Sequence, residues 1–204
     1  MLTAFLIQIN NIMKFQKLTG PPKFDIAEYA KNYLEKNKHY NIKLYLGFDS
    51  QTRNGRTTYA TTLVFHVSTT GCHVVYRKES YPEIKDMWTR LWKECEKSVE
   101  VALYLRDNGI EINTVDLDYN IDPSKKSSKL VKAALGFVNG HGFKARCKPE
   151  LLPGVYAADD LEEGDEHYEK ANAQKSQSEI FLKSTLMMQS MVRRYRARKL
   201  VEAK

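Results

Sequence analysis

The sequence predicts an α/β domain built on a mixed five-stranded sheet, and three observations predict it. Three strand-like runs, residues 42–50, 57–67 and 72–79, are joined by the short polar turns TRNGR (52–56) and STTG (68–71), the pattern of an antiparallel meander. A long amphipathic helix follows, and from there strand and helix alternate, so the later strands are reached through crossovers and pair in parallel. The 204 residues are 42% hydrophobic, enough for one cored domain and an appendage.

Taken in order, residues 1–13 read as an N-terminal arm. MKFQKLTG, opening at Met13, is the more natural start, with the preceding residues an upstream start or a loose arm. TGPPKFD, from Thr19, reads as punctuation. Asp25 is placed to cap a helix to about Asn37, with Ile26, Tyr29, Ala30, Tyr33 and Leu34 on one face. In the first strand Ile42, Leu44, Leu46 and Phe48 share one face, and Lys43, Tyr45, Gly47 and Asp49 share the other. Gly47 leaves room for close approach by a ligand or by backbone.

The long helix is predicted over 82–108, from the helical spacing of Ile84, Trp88, Leu91, Cys95, Val99 and Ala102, and Asn108-Gly109 stops it. A fourth strand is expected over 110–119. Ser127 or Ser128 caps a helix to about Asn139, a fifth strand spans 143–147, and a short helix spans 153–161. The domain therefore covers about 14–162. Residues 163–177 are a charged linker. From Ser178 an amphipathic helical pattern (Ile180, Phe181, Leu182, Leu186, Met187, Met188, Met191, Val192) ends in the basic run VRRYRARK.

Lys and Arg number 32 against 25 Asp and Glu, a net charge of +7 that favours phosphate-bearing partners. The cysteines, Cys72, Cys95 and Cys147, are odd in number and form no C-x-x-C pair, which fits a reducing cytoplasm and excludes a disulfide framework or zinc knuckle. The apolar N-terminal run lacks a basic n-region and is cut by Gln8 and Asn10, and no later run reaches membrane length. A P-loop, a G-x-S-x-G motif and a catalytic Cys-His signature are all absent from the sequence.

The acids carry the chemistry. Asp49 ends the first strand on its more polar face. Alone it reads first as a turn-initiating residue that caps the TRNGR loop. Asp116 and Asp118, in TVDLDYN, share one face of the fourth strand roughly 6.6 Å apart. Strand interiors are depleted in Asp, and carboxylates there need a partner or a metal. The long helix offers Glu94, Glu96 and Glu100. Glu94 shares its side with Met87, Val101 and Leu105 and is the most enclosed. AADD, residues 157–160, adds acids on the last helix. Carboxylates converging from several elements suit hard divalent cations, Mg²⁺ or Mn²⁺, which activate water in phosphodiester cleavage.

With these segments in place, the chain resembles the YkuK-like family of ribonuclease H-like proteins. The matching stretches are MKFQKLTG, GFDSQ, YATTLVFH, RLWKECEKSVEVALYL, LDYN, SSKLVKAALGFVNGHGF and KPE…AAD, over about 13–160. The resemblance implies a ribonuclease H-like fold and a metal-dependent nuclease-like site of Asp49, Glu94 (Glu96 as its alternative), Asp118 rather than Asp116, and Asp159. It names no substrate, and fold alone does not guarantee activity. Pro153 and Gly154, in ELLPGVYAADD, depart from the pattern ahead of Asp159.

Two basic features fit a nucleic-acid partner. Lys125, Lys126, Ser128 and Lys129 surround a helix N-terminus, a place that holds phosphate or simply caps the helix. Arg193, Arg194, Arg196 and Arg198 lie in the tail, where the Met-rich face equally suits an oligomer or protein partner. Five histidines are scattered. His66 and His73 flank the STTG turn and could meet across strands, and His141 could approach the site. Two readings follow: a metal-dependent nuclease, or a non-catalytic nucleic-acid-binding or scaffold protein of the same fold.

Overall fold

The TRNGR turn closes a tight hairpin. Asn54 and Gly55 both take positive φ (50° and 71°), the conformation of a two-residue type I′ turn, and Arg53 pairs with Arg56. This turn joins β3 (Ile42–Arg53) to β4 (Arg56–Val67), and β4 pairs antiparallel with β5 (Gly71–Pro82), completing the expected meander with longer strands. The computed structural model describes residues 12–67, 71–150, 153–155 and 157.

TGPPKFD is not mere punctuation. Residues 14–25 form a hairpin of β1 (Lys14–Lys17) and β2 (Gly20–Asp25), and β1 pairs with the outer edge of β5. Prolines are tolerated there because β2 is an edge strand. The sheet therefore has seven strands, in the order β2-β1-β5-β4-β3-β6-β7, where five were expected. The five-stranded part keeps its predicted character: an antiparallel trio, then β6 (Thr114–Asn120) and β7 (Ala145–Lys148) in parallel beside β3.

Three helices cover one face. Asp25 caps α1 (Ile26–Lys36), accepting from the backbone N–H groups of Ala27 and Glu28 at 3.0 and 2.9 Å. The long helix, α2 (Met87–Asp107), begins five residues later than its periodicity suggests, because Asp86 takes the cap by accepting from Thr89 N–H at 2.7 Å. Ile84 lies in the loop before it. The third helix is α3 (Ser128–Gly140). The core packs Leu44, Leu46 and Phe48 of β3 with Leu91, Cys95, Val99 and Ala102 of α2, Val131, Ala134 and Val138 of α3, and Val115, Leu117 and Tyr119 of β6. The opposite face carries a smaller cluster of Val64, Cys72 and Val74, with Ala157 and the flank of Tyr45. Among the described residues, no helix is long and apolar enough to cross a membrane.

Candidate functional site

Strand alternation separates the two acids of β6 from its apolar residues. Val115, Leu117 and Tyr119 enter the helical core, so Asp116 and Asp118 project from the other face. On β3 the same logic buries Phe48 and sends Asp49 to that face. Gly47 pairs in parallel with Asp116. That is the last paired position of the two strands, and Asp49 and Asp118 each lie two residues beyond it on the same face.

The two β6 acids have different surroundings. Asp116 is fully buried and saturated: Arg146 donates to its Oδ1 through Nε (3.1 Å) and Nη2 (2.7 Å), the Thr114 hydroxyl to Oδ1 at 3.3 Å, and Gly154 N–H to its Oδ2 at 2.9 Å. Burial raises its carboxyl above the usual range, and Arg146 opposes that shift without cancelling it. Asp118 is half-buried and forms an ion pair with Lys148 of β7. The ammonium lies directly on the buried Oδ1 of Asp118.

Glu94 stands on α2 over the helical face, beside Ser50, so it lies across the sheet from the face that carries Asp49 and Asp118. It is 2% exposed, and the Ser50 hydroxyl donates to its Oε1. Burial holds its carboxyl well above the usual carboxylate range. The Ser50 bond and Arg90 act against that shift, while the charges of Asp49 and Asp118 add to it. Arg90 in turn donates to the Ser50 carbonyl at 2.7 Å, tying the start of α2 to the end of β3. Glu96 is exposed and accepts from the Trp92 indole at 3.0 Å, and Glu100 is exposed.

Gly47 makes room for backbone rather than for ligand. A Cβ placed there would lie 1.9 Å from the carbonyl carbon of Gly154. Pro153 and Gly154 therefore begin the short last helix against the sheet, with the Gly154 carbonyl accepting from the Thr62 hydroxyl at 2.6 Å. Thr62, Gly47, Asp116 and Arg146 form one row across four strands, and the segment docks on it. Asp159 and the tail arginines Arg193, Arg194, Arg196 and Arg198 lie outside the described residues.

Among the described residues, no three His, Cys, Asp or Glu side chains stand close enough together to hold one metal ion. Lys125, Lys126 and Lys129 are exposed on the loop and first turn that follow β6, and Ser128 is half-buried. Ser127 makes no side-chain cap on α3; its hydroxyl instead accepts from Asn120 N–H at 3.2 Å. The histidines stand elsewhere. His73 shares the helical face with Phe65, whereas His66 lies by Tyr45 on the other face, so the two do not meet. His141 packs on Phe137 at the C-terminal end of α3.

Sequence reasoning missed Ser50, Arg90, Arg146 and Lys148. A signal existed for the last two: Arg146 and Lys148 sit two apart on a short strand, the spacing of Asp116 and Asp118.

Fold and acids together define an α/β protein with a carboxylate-lined end to its central parallel strands. The family model described as ribonuclease H-like matches residues 25–162, and the chain belongs to that family, whose fold is of the nuclease and nucleic-acid-binding kind. The β1–β2 hairpin falls almost wholly ahead of the matched segment. Neither curated proteins nor solved structures give a match.

Proposed function

We propose that the protein is a divalent-metal-dependent nuclease that hydrolyses phosphodiester bonds in nucleic acid. The observation that carries this reading is that Asp49 and Asp118 project from the same face of the neighbouring strands β3 and β6, with the charges of both acting on the buried Glu94. All three offer oxygen donors, the chemistry that Mg²⁺ and Mn²⁺ prefer. Asp49 and Asp118 would hold the ion, with Glu94 and Asp159 completing the set. Such an ion, when bound, activates water and offsets charge on a leaving oxygen. The sheet holds both strand acids rigidly, while Ser50 and Arg90 fix Glu94 and the entry of α2. Lys125, Lys126, Ser128 and Lys129 would position the phosphate backbone beside the acids, and the basic tail would add to the grip.

The test is cleavage of labelled single-stranded RNA and DNA, both duplexes, an RNA–DNA hybrid and a four-way junction, with Mg²⁺, Mn²⁺ or EDTA. Metal-dependent cutting that disappears in Asp49→Asn is the expected result. No cutting of any substrate by folded protein would refute the enzyme.

A second reading has its own support. Lys148 already neutralises Asp118, and the described acids form no three-residue metal cluster. A non-catalytic nucleic-acid-binding or scaffold protein would show tight binding to one substrate without cleavage.

A further inference from the structure

We propose that residues 180–192 of this chain dock as an amphipathic helix on the outer face of β4 and β5, the sheet face opposite the three described helices. The docking holds whether or not the protein cuts nucleic acid.

An antiparallel strand with one solvated face alternates apolar and polar residues. Strand β4 does not. Leu63 and Phe65 enter the helical core, yet Ala60, Thr62 and Val64, which alternate with them, are 0%, 0% and 1% exposed on the outer face. The buried outer surface continues onto β5, where Cys72 and Val74 are 1% and 5% exposed. The segment that starts at Pro153 accounts for part of this burial. Its Gly154 carbonyl sits on Thr62, and Ala157 packs with Val64, Cys72 and Val74. Leu18, in the turn between β1 and β2, and Tyr45 of β3 flank the cluster. Among the described residues, Ala157 is the one apolar group that meets this cluster from above the sheet, and a single methyl group cannot bury side chains on two strands.

The occupant follows from where the chain runs. It reaches this face at Ala157, and residues 158–204, which lie outside the described residues, come next. In that stretch Ile180, Phe181, Met187, Met188 and Met191 recur at helical spacing as one stripe, with Leu182, Leu186 and Gln189 off it. Unbranched methionines adapt to an irregular surface such as this mix of Ala, Thr, Val and Cys. A helix over 180–192 is about 20 Å long, enough to cross β3, β4, β5 and β1, since neighbouring strands stand about 4.8 Å apart. Residues 158–179 reach roughly 70 Å when extended, so the return to the sheet is unstrained. The N-terminal arm is the poorer occupant. It joins β1 at Lys14, beyond the Gln16–Tyr76 pair and so on the side away from Cys72, and Ile12, which leads into it, is 58% exposed. Docking would carry the basic run from Arg193 on the domain itself instead of on a free arm.

The test uses the native Cys72 as a reporter in the full chain, with Cys95 of the helical core as the internal control for unfolding. Alkylation by iodoacetamide is followed at each cysteine by mass spectrometry. The proteins are wild type, the double variant Met187→Asp with Met191→Asp, and Leu186→Asp, which makes the same kind of change off the stripe. The double variant is expected to raise the Cys72 rate by about tenfold or more while Cys95 stays protected, and Leu186→Asp should leave both unchanged. A second measurement decides alone if an Asp variant unfolds and Cys95 reacts too. Phe181→Cys, Met187→Cys, Met188→Cys, Met191→Cys and Leu186→Cys are oxidised one at a time. A disulfide to Cys72 within one chain is expected from the stripe and not from position 186. Equal Cys72 rates in wild type and the folded double variant, or no disulfide from any stripe position, would overturn the docking. So would a disulfide that joins two chains, which gives the face to a second copy, or release of Cys72 only by Phe5→Asp with Leu6→Asp, which gives it to the N-terminal arm.

Discussion

Gly47 and Gly154 touch through their backbones, and a methyl group on Gly47 would fall 1.9 Å from the Gly154 carbonyl carbon. Nothing flexible lies in the way that could yield, since the obstructing atoms are main chain. Gly47→Ala must therefore push the docked segment off the row of Thr62, Asp116 and Arg146. We expect a loss of about 3 kcal/mol or more in urea unfolding, at the upper end for overpacking. Thr62→Val keeps the shape and removes only the donor to the Gly154 carbonyl, so it should cost about 1 kcal/mol. A Gly47→Ala protein as stable as wild type would mean the segment does not dock here.

Asp116 and Asp118 should separate stability from binding. Asp116→Ala leaves Gly154 N–H without its acceptor and Arg146 beside a buried void, and breaking a buried pair in this way costs about 3–5 kcal/mol. Asp118→Asn acts on a partly exposed ion pair with Lys148. It should shift stability by less than about 1 kcal/mol yet remove Mn²⁺ binding and cleavage. Thermal unfolding beside a Mn²⁺ titration on both variants checks this. The opposite ranking would make Asp116 the functional acid.

The sequence made much of this legible, for physical reasons. Period-two alternation in β3 and β6 sorted apolar from acidic residues correctly, and the α2 stripe showed Glu94 enclosed, as it is. Asn54-Gly55 announced its turn because few other residue pairs accept two positive φ values. Other features depended on contacts far apart in the chain. The β1–β2 hairpin is short, carries two prolines and gains its strand character from the edge of β5, so its local sequence reads as a turn. The N-terminus of α2 was misplaced because Asp86 competes with the earlier Pro82 as a start signal. Arg146 and Lys148 were silent because a four-residue strand offers too little periodicity to assign a face.

The aromatic cluster under β5 predicts a pH dependence unrelated to the site. His73 lies among Tyr29, Tyr33 and Phe65, stacked on Tyr33 with centroids 4.8 Å apart, and its Nε2 is 2.7 Å from the Tyr29 hydroxyl oxygen. Burial, reinforced by the Lys17 charge, lowers its pKa to about 4. An unfolded histidine titrates near 6.5. Between these values the unfolded chain binds a proton that the folded one refuses. Stability is therefore fully present above about pH 6.5 and is lost as pH falls towards 4, by up to about 3 kcal/mol. Urea unfolding across this window should show the slope, and His73→Phe should flatten it. An unchanged slope in that variant would assign the effect to other groups.

Lys125, Lys126 and Lys129 test the basic loop as a phosphate grip. All three are exposed, on the connection that leaves β6 two residues beyond Asp118, so a nucleic-acid backbone lying across the acids would pass them. Exposed lysines contribute little to folding, and their replacement by Gln should leave thermal unfolding nearly unchanged. Each phosphate contact releases condensed counterions, so the logarithm of affinity falls linearly with the logarithm of salt concentration. Removing three such contacts should reduce that slope by roughly 2–3 on duplex DNA and somewhat less on single strands. Fluorescence anisotropy from 50 to 200 mM salt, roughly the range over which this dependence is steep, gives the slope directly. The triple Gln variant should bind more weakly at low salt and converge on wild type at high salt. Parallel lines with equal slopes would place the backbone elsewhere and leave these lysines as solvated residues at a helix start.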